Sequence, residues 1–187
     1  NLENVLRKNK DKIAGIIIEP LIQCAGGMKI YSPEILNKIY QLKKKFNILL
    51  ILDEIATGFG RSGTMFAFHQ SSAKPDIVCI GKGLTGGIMS LSATVSTKEV
   101  FNAFLGKKEN IEFMHGPTYM ANPLACSAAN ATLNYIKKYN VLNKVKKIEN
   151  YFAKNLPRFH KYSFVKTTRY IGAIAVIELN DMNKIKL

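Results

Sequence analysis

The sequence predicts an α/β fold with a mostly parallel central sheet and helices on both faces, and three observations carry that expectation. Short apolar runs at Ala14–Ile18, Ile48–Leu52 and Ile77–Ile80 are each bounded by turn residues, the pattern of strands buried on both faces of a parallel sheet. Between the first two lies a segment with apolar residues at helical spacing, so the order is strand, helix, strand, a βαβ unit. Asp53 and Glu54 follow the second run directly, and Gly81-Lys82-Gly83 follows the third. In open α/β sheets the ligand crevice lies beyond the carboxyl ends of the strands. The acid and the lysine are therefore expected to face one crevice.

Taken in order, Asn1–Lys12 reads as the end of a solvated helix, and Ala14–Ile18 as a strand closed by Glu19-Pro20, because proline cannot continue a ladder. Leu21–Ile30 is expected to be a loop with a Gly26-Gly27 hinge. Ser32-Pro33 is a helix start, serine at the cap and proline at the first helical position. Ile35, Ile39, Leu42 and Phe46 form the stripe of that helix. Asp53–Gly63 is glycine-rich and irregular, Thr64–Ser71 a short helix, and Pro75-Asp76 the opening of the third strand. After the lysine loop, Gly81–Met89, come a strand at Leu91–Ser96, a helix capped by Thr97 and running to Leu105, and a charged turn at Gly106–Asn110. Asn122-Pro123 starts a helix to about Tyr139 with a face of small residues, Ala125, Ala128, Ala129 and Ala131. Such a face suits close approach to a sheet or to a second subunit. A basic amphipathic helix from Val141 to about Leu156 follows, then strand-like runs at Ser163–Thr167 and Ile171–Leu179 on either side of Arg169. The change of character near Tyr139–Val141 divides the chain into residues 1–139, part of a large domain, and 140–187, the start of a smaller α+β domain.

The chain has 187 residues, 47% of them hydrophobic, which is enough for a substantial core. Its net charge of +14 raises the question of an anionic partner. The lysines, however, cluster on expected helix exteriors (Lys8, Lys10, Lys12; Lys43–Lys45; Lys144, Lys146, Lys147) with no aromatic interleaving and no nucleic-acid motif. A solvated surface is the reading they support, with neither nucleic acid nor membrane as partner. The three cysteines, Cys24, Cys79 and Cys126, are far apart and lack metal-ligand spacing, as in a reduced cytoplasmic protein. His69, His115 and His160 are scattered, so no metal is expected. Gly58, Gly60 and Gly63 match neither nucleotide-binding fingerprint and are read as turn formers. No apolar run approaches the length of a membrane span.

A lysine amine condenses with aldehydes, and pyridoxal phosphate (PLP) enzymes pair such a lysine with an acid at the pyridine nitrogen. That acid keeps the nitrogen protonated and so makes the ring an electron sink. Asp53 ends a strand where an unpaired carboxylate would be costly, and Glu54 is the weaker candidate, an orienting or structural acid. Lys82 by itself reads as a surface loop residue, and the residues alone leave that alternative open against a PLP site.

The runs LDEIATGFGRSG, PDIVCIGKGLTGG and HGPTYMANPLACSAANATL, with IIIEPLIQCAGGM and TTRYIGAIAVIE around them, resemble the class III, fold-type I, PLP-dependent aminotransferases over nearly the whole chain. Within that family the wording is nearest to the branch of biotin biosynthesis that moves an amino group from S-adenosylmethionine to 8-amino-7-oxononanoate. The ornithine, acetylornithine and GABA branches usually carry Gln where this chain has Ala56. The resemblance implies that Lys82 holds PLP covalently and moves the proton at the substrate Cα, that Asp53 pairs with the ring nitrogen, and that Ile55 lies against one ring face. It implies that Pro117 and Thr118 reach the phosphate of a neighbouring subunit's PLP in a homodimer, with Gly116 lining the substrate site. Arg169 would bind the substrate carboxylate and pair with Glu19 when none is bound. The family's phosphate-binding Gly-Ser turn and second ring-covering aromatic lie upstream of Asn1, and its C-terminus beyond Leu187, so the chain is expected to be part of a longer protein. Three other readings remain: another class III enzyme acting on ω-amino acids, a basic binding module, and an inactive remnant.

Overall fold

Short apolar runs and one amphipathic helix build the centre of the molecule, a computed structural model describing residues 1–106 and 111–180. Helix α1 (Leu2–Lys8) leads into β1 (Gly15–Ile18), and after α2 (Pro33–Phe46) comes β4 (Leu49–Asp53). Strand β1 pairs with β4 in parallel, Gly15 opposite Leu49 through Ile18 opposite Leu52, so the expected βαβ unit is present. Strand β5 (Ile77–Ile80) joins β4 in parallel. Strand β6 (Ala93–Ser96) then pairs antiparallel with β5 at the edge. The sheet is thus mixed, in the order β1-β4-β5-β6.

Burial of the sheet is one-sided within this chain. Leu50 and Leu52 are fully buried against Leu36 and Ile39 of α2, with Ala73, Ile16 and Ile18 beside them, whereas Ile17 on the opposite face of β1 is 64% exposed. The expectation of strands buried on both faces is corrected accordingly, since alternate side chains of a strand point to opposite faces. The α2 stripe is also shifted: Leu36 and Ile39 are buried, and Ile35 is exposed. Asp76 ties these layers together. Its carboxylate accepts the Leu50 backbone N–H at 2.7 Å and the Lys43 ammonium at 2.9 Å.

The segment expected as a loop at Leu21–Ile30 contains a small antiparallel hairpin, β2 (Ile22–Gln23) with β3 (Lys29–Ile30). The short helix within Thr64–Ser71 is a single 3-10 turn at Ala67–Gln70. Helix α3 (Lys98–Asn102) is capped by the Thr97 side chain, which accepts the Val100 N–H. From residue 107 the expected charged turn lies outside the described residues, as does the chain end at Lys186-Leu187. Helix α4 (Pro123–Lys138) is capped by Asn122, and α5 (Val141–Asn155) begins after Asn140, whose φ is +50°. The small-residue face of α4 packs on the lysine turn, with Ala125 and Ala129 buried.

Strands β7 (Val165–Ile171) and β8 (Ile174–Leu179) form a hairpin. The strand expected at Ser163–Thr167 therefore continues through Arg169, and the break falls at Gly172-Ala173. Ile171 is buried with Leu21, Ile22 and Ala67, so the hairpin sits on the loops that follow β1 and β4.

Candidate active site

Asp53, the last residue of β4, stands opposite Cys79 of β5, and Lys82 lies just beyond the end of β5. The parallel ladder therefore delivers both to one edge of the sheet. Asp53 is half-buried, and its Oδ1 accepts the Ile55 N–H at 3.1 Å. Its Oδ2 has no hydrogen-bond partner among the described residues. Ile55 in turn packs toward the Gly81 backbone, 3.6 Å from where a Cβ would stand.

Lys82 opens a 3-10 turn, Lys82–Thr85, with φ +44°. A non-glycine residue in that region is strained and tends to persist only where its surroundings over-determine it. The surroundings here do so. Thr85 is buried and donates its hydroxyl to the Met89 carbonyl at 2.5 Å, Leu84 is buried, and α4 packs against the turn. Gly83 packs closely on Phe59, since a Cβ there would lie 3.1 Å from that of Phe59. The Lys82 side chain is exposed and lines a cavity of ≈ 380 Å³ with Cys24, Met28, Ala56, Arg61 and the Ala173–Ala175 stretch. A larger groove, ≈ 460 Å³, runs along the α4–α5 junction past Lys144, Lys146 and Lys147, but no residue of the strand ends reaches it.

A buried acid behind the cavity and a thiol on its wall both have raised pKa values. Glu54 is fully buried; it accepts the Phe68 N–H at 3.0 Å and the Thr57 hydroxyl, and desolvation raises its carboxyl above the ordinary value despite these bonds. It is a structural acid that pins the loop carrying Ile55, Ala56 and Arg61. Burial likewise raises the Cys24 thiol, with the nearby Glu19 carboxylate adding to it, while Lys82 and Arg61 pull the other way. Both cationic heads thus act on one thiol at the cavity wall.

Arg169 is placed differently from expectation. Its Nε–H donates to the Met28 carbonyl at 2.7 Å, one terminal nitrogen to Gly27 O at 2.8 Å, and the other to Glu178 at 2.7 Å. The fork joins the β7–β8 hairpin to the β2–β3 hairpin, and Arg169 is not among the residues lining the Lys82 cavity. Nor does it pair with Glu19, whose carboxylate accepts the Cys24 N–H at 3.0 Å. Arg61, by contrast, faces the Lys82 cavity and has no ion-pair partner among the described residues. Sequence reasoning passed over Arg61, although a cation inside the glycine-rich run GFGRSG, next to the strand-end acid, was a usable signal. Gly116, Pro117 and Thr118 lie in an exposed loop and are not among the residues lining the cavity.

A strand-end amine held on strained backbone at an open cavity, with a carboxylate on the adjacent strand end outside the cavity lining, suits an α/β enzyme of carbonyl–amine chemistry. The donor set fits PLP: an amine for its aldehyde and a carboxylate with a free oxygen for its ring nitrogen. Residues 1–186 match the family described as Aminotransferase class-III, and the chain belongs to that family, whose cofactor is PLP. It is 43% identical over 178 residues to the adenosylmethionine-8-amino-7-oxononanoate aminotransferase of Buchnera aphidicola, covering 95% of this chain and 41% of that protein. Among solved structures it is similar to the enzyme of the same name from Methanocaldococcus jannaschii, with a TM-score of 0.90, 37% identity, and coverage of 97% and 43% of the two chains. It is also similar to the ornithine aminotransferase of Toxoplasma gondii, described with PLP partially occupying its active site, with a TM-score of 0.86, 31% identity, and coverage of 98% and 41%. The chain spans about two fifths of the length of the curated relatives it matches.

Proposed function

We propose that the enzyme containing this chain transfers the amino group of S-adenosylmethionine to the ketone of 8-amino-7-oxononanoate, giving 7,8-diaminononanoate for biotin biosynthesis. The observation that carries the chemistry is the Lys82 amine, set on strained backbone beside Arg61 in one cavity. The donor and acceptor come from the names of the relatives, and Ala56 on the cavity wall accords with that branch.

Lys82 and Asp53 would hold the cofactor, the amine at its aldehyde and the carboxylate at its ring nitrogen, with Ile55 against the ring. When bound, PLP supplies a sink for the electron pair left on the substrate Cα. The Lys82 amine moves the Cα proton, and it serves in both ping-pong half-reactions, donor first and acceptor second. Asp53 keeps a proton on the ring nitrogen. Arg61 anchors a carboxylate, a group both substrates carry, through its planar fork of donors. The Ala173–Ala175 stretch lines the same cavity beside Arg61, whose carbonyl accepts the Ala173 N–H.

The proposal includes a cytoplasmic homodimer in which Gly116, Pro117 and Thr118 complete the partner's site, and a smaller domain beginning at residue 140. Support for the dimer is the exposed apolar surface around that loop, where Phe113, Met114, Tyr119 and Met120 are each at least 66% exposed; patches of this kind mark interaction surfaces. Among the described residues no helix is long and apolar enough to cross a membrane.

Borohydride reduction of full-length protein loaded with PLP, followed by peptide mapping, tests the site. Label on Lys82 is expected; label on another lysine refutes it. Turnover of ornithine or GABA in place of S-adenosylmethionine refutes the substrate assignment.

A further inference from the structure

Gly172 sits in the turn between β7 and β8 with φ +55°, and its missing side chain matters more than its backbone freedom. A Cβ there would overlap Gly63 N and the Ser62 carbonyl carbon, and would stand 2.5 Å from the Arg61 carbonyl oxygen. These are backbone atoms, which cannot swing aside as a side-chain tip could. The next residue bonds the same loop, the Ala173 N–H donating to the Arg61 carbonyl at 2.9 Å. From the other side the Gly172 N–H donates to Glu149 Oε1 of α5 at 2.7 Å. A chain of contacts therefore runs from α5 through the turn to the backbone of the residue that faces Lys82.

Ala173, Ile174, Ala175 and Arg61 all line the Lys82 cavity. The turn and the Arg61 loop are thus joined directly at a place where both line the cavity. From this we infer that Gly172 and Glu149 are positioning residues for Arg61: the turn docked by Glu149 fixes where the guanidinium stands relative to the Lys82 amine, and so which carboxylate-to-amine span the site accepts. The inference rests on the reading of Arg61 as carboxylate anchor. It touches neither the cofactor lysine nor its acid, so the effect separates from loss of the cofactor.

The test uses full-length, PLP-loaded enzyme carrying Gly172→Ala, Glu149→Gln, Arg61→Ala, or the last two together. Gly172→Ala is expected to raise the KM for S-adenosylmethionine about tenfold and Glu149→Gln about threefold, with kcat and the labelling of Lys82 nearly unchanged, because misplacing an anchor weakens substrate binding. In the Arg61→Ala background Glu149→Gln is expected to add nothing, since positions acting through one group are not additive. Should Gly172→Ala fail to fold, Glu149→Gln decides by the same criteria. A KM within about twofold of wild type for the variants that fold, or a Glu149→Gln effect undiminished by Arg61→Ala, overturns the positioning role while leaving the anchor intact. An unchanged KM in Arg61→Ala alone overturns the anchor itself, and the positioning role falls with it.

Discussion

The Arg169 guanidinium and the Glu178 carboxylate meet at 2.7 Å across the β7–β8 hairpin, while the other two bonds of the same guanidinium reach back to Gly27 and Met28. Arg169 is therefore a clamp between two hairpins. Arg169→Ala is expected to lower the melting temperature by several degrees, roughly the effect of losing one such set of bonds, and to leave the KM for S-adenosylmethionine within about twofold. The partner gives the pH dependence. Lys166 first, and Arg169 next, hold the Glu178 carboxyl below its ordinary 4.5. A depressed folded value contributes stability that is present above pH 4.5 and lost as pH falls through the folded value. The difference in melting temperature between wild type and Glu178→Gln should shrink on acidification from neutral pH, which a series of thermal melts would show.

Glu54 carries the opposite sign. Its carboxyl is raised above 4.5 by desolvation, so its stabilising share is greatest below pH 4.5 and declines as pH rises through the folded value. Wild type should lose stability relative to Glu54→Gln as pH is raised from 4.5. Glu54→Ala leaves the Thr57 hydroxyl and the Phe68 N–H without their acceptor and should cost about 2–4 kcal/mol in denaturant unfolding.

In the proposed mechanism Asp53 acts through its charge rather than through folding. Asp53→Asn keeps an oxygen to accept the Ile55 N–H but removes the negative charge that the proposal sets at the ring nitrogen. A fall in kcat of roughly a hundredfold or more is expected, the scale on which single preorganised electrostatic groups act. Near-wild-type transamination would remove Asp53 from the proposed mechanism.

The shared site can be tested by mixing subunits. Lys82→Ala and Thr118→Ala homodimers are each expected to be inactive or nearly so. Co-refolding equal amounts should restore about a quarter of wild-type activity, because half of the dimers then carry one site with neither substitution. No recovery would mean that Thr118 serves its own subunit.

The sheet strands, the βαβ order, the cap positions and the placement of Asp53 and Lys82 at one edge of the sheet were legible in the sequence, because each depends on local periodicity or on residues within a few positions of a strand end. The glycine-framed lysine and the acid after β4 needed only the rule that parallel strands present their carboxyl ends together. What tertiary structure alone decided is longer in range. Glu54 and Asp53 are adjacent acids, and only the fold shows that Glu54 is fully buried and bonded to Phe68 and Thr57 while Asp53 keeps an oxygen unengaged among the described residues. Arg61 follows a glycine and Arg169 stands between Thr168 and Tyr170, and only the packing of the β7–β8 hairpin spends Arg169 on carbonyls and Glu178 while Arg61 lines the cavity with Lys82. That outcome depends on contacts between residues more than a hundred positions apart, a separation at which local pattern carries no information.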